Sequence, residues 1–398
     1  MPVIASTLST LAGNWSSMLV AQARAFVHPV AIPRRTAPFL HSGASAQGYW
    51  NAFVIASLPA WIIGLWSVGH QANLAIAQLG LRALPGWQAG VLTHLGVGFE
   101  AASPLACFLH GLLWFIPIFA VALLTGAAWQ ALFSAVRNRP PDPGLIYACW
   151  FFTLMLPAGT PLYQAALGIS FGLVFGKLIF GGSGRYLFNP ALLGVAFLVF
   201  SYPDLVFGEG NWVPVPGYDQ PTVLELVSDE GGLMVITGLD YDWTDLFVGD
   251  RPGAFGTTSV LGILLGAAWL VWTGVASWRV LLGAMAGMIM ASLVFNMAAS
   301  AHPLFALPWY WHGALGGFAF GLVFIATDPV AGATTRTGRW GFGLLVGALT
   351  VVIRLANPSY HEGVMFSILL ASTFAPLIDW AVVARHIAKR QRAPGAHP

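Results

Sequence analysis

Charge is what this sequence has least of. Only 8% of its 398 residues are Asp, Glu, Lys or Arg, in 15 acidic and 17 basic side chains. A soluble domain carries about 25%, so these charges are too few to cover a water-facing surface. That excludes a cytosolic enzyme and a nucleic-acid binder. Two cysteines, Cys107 and Cys149, without CxxC spacing, exclude a disulfide scaffold. A hydrophobic content of 57% excludes disorder. The apolar runs are long and lack period-two alternation, which excludes a membrane β-barrel. What is left is an all-α integral membrane protein.

A spanning helix needs roughly 20 mostly apolar residues. Ten stretches come near that, at 51–69, 105–133, 145–159, 161–180, 188–202, 257–276, 279–298, 309–327, 341–356 and 362–384. About ten transmembrane helices are therefore predicted. The third and fifth stretches are short enough to be half-helices or re-entrant pieces, which need protein or a cavity around them.

The charges orient the chain. Basic residues mark the cytoplasmic side. With the N-terminus inside, the outer side keeps only Arg82, Arg251 and Arg354 of the 17 basic residues. One long outer loop collects Asp204, Glu209, Asp219, Glu225, Asp229, Glu230, Asp240, Asp242, Asp245 and Asp250, ten of the 15 acids. Five segments follow: a cytoplasmic N-terminal segment at 1–50, a first transmembrane half at 51–202, the acidic extracytoplasmic loop at 203–256, a second transmembrane half at 257–384 and a basic cytoplasmic tail at 385–398. Both termini are expected in the cytoplasm. Lys177 is expected to snorkel to the inner surface.

The halves carry a short internal echo. Phe171-Gly-Leu-Val-Phe175 recurs as Phe320-Gly-Leu-Val-Phe324, each shortly after Ala-Leu-Gly. Asn189-Pro190 and Asp328-Pro329 follow them. Membrane proteins built from two related halves often bind ligands where the halves meet.

Three loops hold most of the polar chemistry. Phe180-Gly-Gly-Ser-Gly-Arg-Tyr-Leu-Phe-Asn-Pro190 has glycines, Gly181 and Gly182 among them, whose free N–H groups suit either a ligand cradle or a tight inter-helix turn. Ala326-Thr-Asp-Pro-Val-Ala-Gly-Ala-Thr-Thr-Arg-Thr-Gly-Arg339 presents Asp328 and Thr334, with Arg336 or Arg339 as a partner for the carboxylate. Asn357-Pro-Ser-Tyr-His-Glu-Gly363 places Glu362 as a helix N-terminal acid. Within the last span, Asp379 is either part of an ion path or one side of an interfacial salt bridge. His110 and His312 lie within spans as hydrogen-bonded packing residues, with haem ligation the minor alternative. No paired metal spacing is present.

These loops resemble a known family. The stretches Phe180-GGSGRYLFNPALLGVAF, Leu307-PWYWHGALGGFAFG, Ala326-TDPVAGATTRTGRW and Arg354-LANPSYHEGVM through Phe374-APLID are similar to the B subunits of the sodium-translocating NADH:quinone oxidoreductases (Nqr) and, more distantly, to the D subunits of Rnf electron-transport complexes. The likeness covers roughly residues 50 to 392. It implies a ten-span flavoprotein of the bacterial inner membrane, working with other subunits and membrane lipid in electron transport and sodium transport. It also implies FMN esterified to a threonine of the outer loop, a riboflavin, and quinone as substrate. Residues at 181, 182, 189, 328 and 334 are then expected to bind cofactor or to couple.

The resemblance is imperfect at two places. The family's flavin-acceptor motif, Ser/Asp-Gly-Ala-Thr, aligns with Asp219-Gln-Pro-Thr222. Asp219 keeps the first position and Thr222 the hydroxyl, but Gln220 and Pro221 replace Gly-Ala, and Pro221 stiffens the backbone. Covalent FMN at Thr222 and a chain that holds flavin non-covalently or lacks it both stay open. The family's Gly-Gly-Phe-Trp-Glu, tied to quinone and sodium handling, reads Gly126-Ala-Ala-Trp-Gln130 here. Gly126, Ala127 and Trp129 are the quinone-region candidates. Gln130 offers a carbonyl but no charge, leaving Asp379 as the better ion-path candidate. The expected function is that of an Nqr/Rnf-like respiratory protein that passes electrons through flavin to quinone, coupled to Na⁺ or H⁺. The alternatives are a non-redox small-solute transporter and a structural paralogue without flavin.

Overall fold

In a computed structural model, the described residues are 46–81, 86–138, 142–203, 208–229, 234, 242–298, 303–356 and 362–391. They are helical throughout, with no strand among them. Five helices are long and apolar enough to cross a membrane, and four apolar helical stretches are shorter. The chain divides into two compact units, residues 1–220 with 254–256, and residues 221–253 with 257–398. The long loop 203–256 is thus shared, with the division one residue before Thr222.

Unit 1 is built from α1 (Ala46–Gln78), α2 (Trp87–His94), α3 (Pro104–Arg137), α4 (Leu145–Leu154), α5 (Leu162–Leu173) continued by a π-helical turn (Val174–Leu178), and α6 (Pro190–Ser201). The ends are written in the sequence. Ser103 Oγ accepts the Ala106 N–H with Pro104 in the first turn, and the Asn189 side chain accepts from Ala191 and Leu192 N–H ahead of Pro190. α3 stops at Asn138, which adopts a left-handed conformation at φ 50.

Small residues let these helices touch. A methyl at Gly69 would strike the Cys107 carbonyl, and one at Gly111 would strike that of Leu65, so α1 and α3 meet backbone to backbone. Trp61, Phe115, Phe119, Trp150 and Phe255 form an aromatic cluster. In it Trp150 Nε1 donates to Ser57 Oγ at 2.8 Å. From the long loop, Val213 and Val215 pack on Ala72, Ala75 and Ile76.

Unit 2 contains α7 (Val223–Asp229), α8 (Trp243–Val248), α9 (Val260–Trp272), α10 (Trp278–Met297), α11 (Trp309–Ala314), α12 (Phe318–Phe320) with a π-helical turn (Gly321–Ile325), α13 (Arg336–Ala356) and α14 (Val364–Gln391). α8 opens with a capping box between Asp242 and Asp245. Residues 223–227 of the loop pack through Val223, Leu224 and Val227 against Leu246, Leu304, Leu307, Trp311 and Leu315. The α10–α13 seam is lined by glycine. Side chains at Gly283, Gly287, Gly343 or Gly347 would run into the opposing backbone.

Each predicted stretch contains helix, but the bounds differ. α1 runs from Ala46 to Gln78, beyond the predicted 51–69, and α4 stops at Leu154, short of the predicted 159. The 309–327 stretch is broken at Leu315–Gly317 between α11 and α12. α13 starts at Arg336, earlier than the predicted 341. α14 runs on to Gln391, so part of the basic tail is helix. The N-terminal segment expected at 1–50 lies almost wholly outside the described residues. Both copies of Phe-Gly-Leu-Val-Phe carry the chain from α-helix into a π-helical turn.

Candidate functional sites

Three polar clusters stand out. The first lies in unit 1, where α3 ends and the glycine loop begins. Lys177, on the π-helical turn, is 2% exposed, which overturns the expectation that it snorkels outward. Its Nζ lies 2.8 Å from Asp142 Oδ2 and donates to the Pro143 carbonyl at 2.7 Å. The Asp142 carboxylate also accepts the Ser183 N–H, at 3.0 and 2.9 Å to its two oxygens, and the Ser183 hydroxyl at 2.9 Å. Gln130 Nε2 donates to the Asp142 carbonyl.

Gly181 and Gly182 hold φ of 105 and 103, conformations open to glycine. A methyl at Gly182 would lie 2.6 Å from Asp142 Oδ1. The glycine loop thus receives a protein carboxylate on the Ser183 N–H. Asn189, also 2% exposed, donates to the Tyr147 hydroxyl at 3.0 Å.

Of the quinone-region candidates, Gly126 and Ala127 are buried and Trp129 is half-buried, and the ion-path candidate Gln130 is buried. Gly126 sits where α3, α4 and α5 converge. A methyl there would meet Leu173, Leu145 and, at 3.0 Å, the sulfur of Cys149.

The second cluster is in unit 2. Asp379 on α14 accepts the Thr334 N–H at 2.7 Å, its hydroxyl at 2.8 Å, the Thr335 N–H at 3.0 Å and its hydroxyl at 2.5 Å. Thr335 in turn accepts the Gly338 N–H in the first turn of α13. The carboxylate therefore fastens the start of α13 to α14. Asp328 is 2% exposed and its Oδ1 accepts the Val330 N–H at 2.9 Å, while Arg339 Nε donates to the Ala333 carbonyl.

Two buried arginines hold the break between α11 and α12. Arg354 donates to the His312 and Leu315 carbonyls at 2.8 and 2.9 Å, and Arg251 to that of Ala314 at 2.7 Å. Burial lowers Arg251 to about 10, so it stays charged at neutral pH. Glu362, the expected helix N-terminal acid, accepts the Gly317 N–H at 2.6 Å. The two histidines are hydrogen-bonded packing residues: His110 Nδ1 lies 2.8 Å from Asn73 Oδ1, and His312 lies beside Arg354. Sequence reasoning did not find Asp142 or Arg354. The signal for Asp142 was a lysine inside an apolar run, which requires an acid nearby.

The third cluster surrounds Thr222. Its N–H and hydroxyl both donate to Glu225 Oε2, at 2.7 and 2.9 Å, and its oxygen accepts the Glu225 N–H at 3.3 Å. Thr222 is 9% exposed. An anionic oxygen therefore already sits on the Thr222 N–H. That N–H is a donor of the kind a phosphoester on Oγ1 would need. Asp219 belongs to unit 1, where its Oδ1 would lie 2.7 Å from a methyl on Gly210. Burial pushes the Tyr218 phenol up, so it is neutral at physiological pH.

A family model described as the NQR2, RnfD, RnfE family matches residues 34–388. Among curated relatives, a protein of Azotobacter vinelandii is 41% identical over 381 residues, covering 95% of this chain and 94% of its own. A protein of Pseudomonas aeruginosa is 41% identical over 380 residues, covering 95% and 94%. One from Chromohalobacter salexigens is 41% identical over 373 residues, covering 94% and 90%. Each is named as the B subunit of a Na(+)-translocating NADH-quinone reductase. A match of this length, running through all three polar clusters, leaves one placement: the chain belongs to the NQR2, RnfD, RnfE family.

Proposed function

We propose that this chain is the quinone-reducing membrane subunit of its complex, with ten spans, both termini in the cytoplasm and the bacterial inner membrane as its location. It is a multi-pass membrane subunit of a sodium-translocating NADH:quinone oxidoreductase and takes part in electron transport. What carries this reading is the family match along 95% of the chain, joined to broken spans whose polar turns are held by buried charge. Such turns occur at membrane depth only where protein or a cavity surrounds them.

Thr222 would hold FMN through its phosphate, with Glu225 released from the hydroxyl. A flavin there supplies reversible electron transfer, and the protein supplies position and electrostatics. Riboflavin is the second flavin of the reading, and Gly181, Gly182, Asn189, Asp328 and Thr334 remain its cofactor-binding candidates. Gly126, Ala127 and Trp129 form the quinone region. Gln130 and Asp379 remain ion-path candidates, for Na⁺ or H⁺. Four neutral donors surround the Asp379 carboxylate. The other subunits, lipid and quinone are the partners.

A reading in which flavin is held non-covalently keeps support from Pro221 and from the closed Thr222–Glu225 pair. A denaturing gel scanned for flavin fluorescence separates the two. A fluorescent band that disappears in Thr222→Ala is expected. A dark wild-type band rejects the covalent site, and failure to extract any flavin from the purified complex rejects the redox reading.

A further inference from the structure

The Asp142–Lys177 pair has no part in the function described above. A buried ammonium and a partly wet carboxylate, 3% and 25% exposed at their side chains, span from the surface to the interior of unit 1. Leu173, one helical turn before Lys177, would lie 2.8 Å from a methyl on Gly126. The pair therefore stands about one turn from the glycine of the quinone region.

The position that lacks a charge touches the same group. Gln130 reaches the Asp142 backbone, one residue before the Pro143 carbonyl that holds Lys177. The carboxylate beside the ammonium comes from residue 142 and not from residue 130. Ser183 also faces the pair, with its N–H and hydroxyl on the Asp142 carboxylate. Arg137 is occupied with the Leu178 and Ile179 carbonyls, and Tyr147 with Asn189.

We propose that Asp142 and Lys177 form a proton relay that feeds quinone reduction from the cytoplasmic surface, with Asp142 carrying the carboxylate that position 130 lacks. This rests on the quinone-region reading of Gly126 and Trp129. Quinone reduction takes two electrons, supplied by NADH through the complex, and two protons. For each proton an N–H bond of the Lys177 ammonium breaks and an O–H bond forms on the reduced quinone oxygen. The Asp142 carboxylate takes a proton from water at its exposed edge and passes it to the Lys177 amine. Two rounds complete the quinol and restore the pair to its starting charges.

The test uses the whole purified complex. NADH-driven quinone reduction and NADH-driven ferricyanide reduction are followed from neutral to alkaline pH, in H₂O and D₂O. Asp142→Asn is expected to slow quinone reduction about 10-fold or more, most strongly at alkaline pH where water supplies protons poorly. Ferricyanide reduction stays at the wild-type rate and the solvent isotope effect grows. Lys177→Arg keeps the ion pair but cannot release a proton, and it is expected to give the same loss in a normally assembled complex. Adding Gln130→Glu to Asp142→Asn returns a carboxylate to the cluster and is expected to restore most of the rate.

A wild-type pH profile in Lys177→Arg, equal loss of both activities in Asp142→Asn, or no rescue by Gln130→Glu overturns the relay. Gly126→Val and Trp129→Ala separate the two levels. If they raise the quinone KM while Lys177→Arg changes nothing, the relay falls and the quinone region stands. If they leave KM unchanged, the quinone region falls as well.

Discussion

The two Phe-Gly-Leu-Val-Phe turns end in loops that are fastened in different ways. After the first, the glycine loop is held by Asp142, whose charge is balanced by the buried ammonium of Lys177. After the second, residues 334–335 are held by Asp379, which is bound to two hydroxyls and two N–H groups. One loop depends on an ion pair whose lysine is buried and whose carboxylate is partly exposed, the other on neutral donors at a half-exposed edge. A buried pair is costly to form and costlier to break from one side. A hydroxyl–carboxylate clamp loses only what its individual hydrogen bonds contribute. The first device sets a charge against a charge, and the second sets a charge against dipoles.

The sharpest way to break this contrast is to remove each carboxylate. Asp142→Ala leaves Lys177 buried without its counter-charge and should cost about 3 kcal/mol, seen as a lower midpoint of thermal unfolding in the detergent-purified complex. A loss under about 1 kcal/mol would show that water or another group compensates the lysine. The next effect concerns the backbone. Gly182→Ala forces a side chain to φ 103 and towards Asp142 Oδ1, and should cost about 2 kcal/mol. At Gly332 in the other loop the added methyl would lie 3.2 Å from the Asp328 carbonyl, and the change should stay below about 1 kcal/mol. Equal effects at the two glycines would remove the distinction between the loops.

Smaller changes are expected in unit 2. Asp379→Asn turns an acceptor of four donors into an amide that can satisfy only some of them, at about 1–2 kcal/mol. Hydrogen exchange should then rise first at the start of α13. Exchange that rises uniformly would argue that Asp379 does not act there. Thr334→Val removes one hydroxyl and keeps its N–H, at about 0.5–1 kcal/mol, and the same melting experiment resolves it from Asp379→Asn.

The spans were legible because a membrane helix has to be apolar over its whole length, a property of composition and not of partners. The helix starts at Ser103-Pro104 and Asn189-Pro190 were legible for a similar reason, since capping is local. The break at Leu315–Gly317 was hidden because its residues are as apolar as the helices around it; only Gly316-Gly317 marked it. Lys177 was misread because snorkelling considers the nearest water and ignores a carboxylate in a proline-rich turn 35 positions earlier. Asp379 was recognised as important, but its partners Thr334 and Thr335 are a tertiary pairing that no spacing reveals. Glu362 was legible as an acid at the start of α14, but its bond to the Gly317 N–H is a tertiary pairing that the chain alone does not show.

Arg354 also bears on how the protein is made. The carbonyls of His312 and Leu315 emerge from the ribosome with the broken span, about forty residues before the guanidinium that satisfies them. Until α13 enters the bilayer, those carbonyls have no partner from it and lipid offers none. The break between α11 and α12 is therefore satisfied only once α13 is in place, so that the fold of unit 2 is completed late in its synthesis.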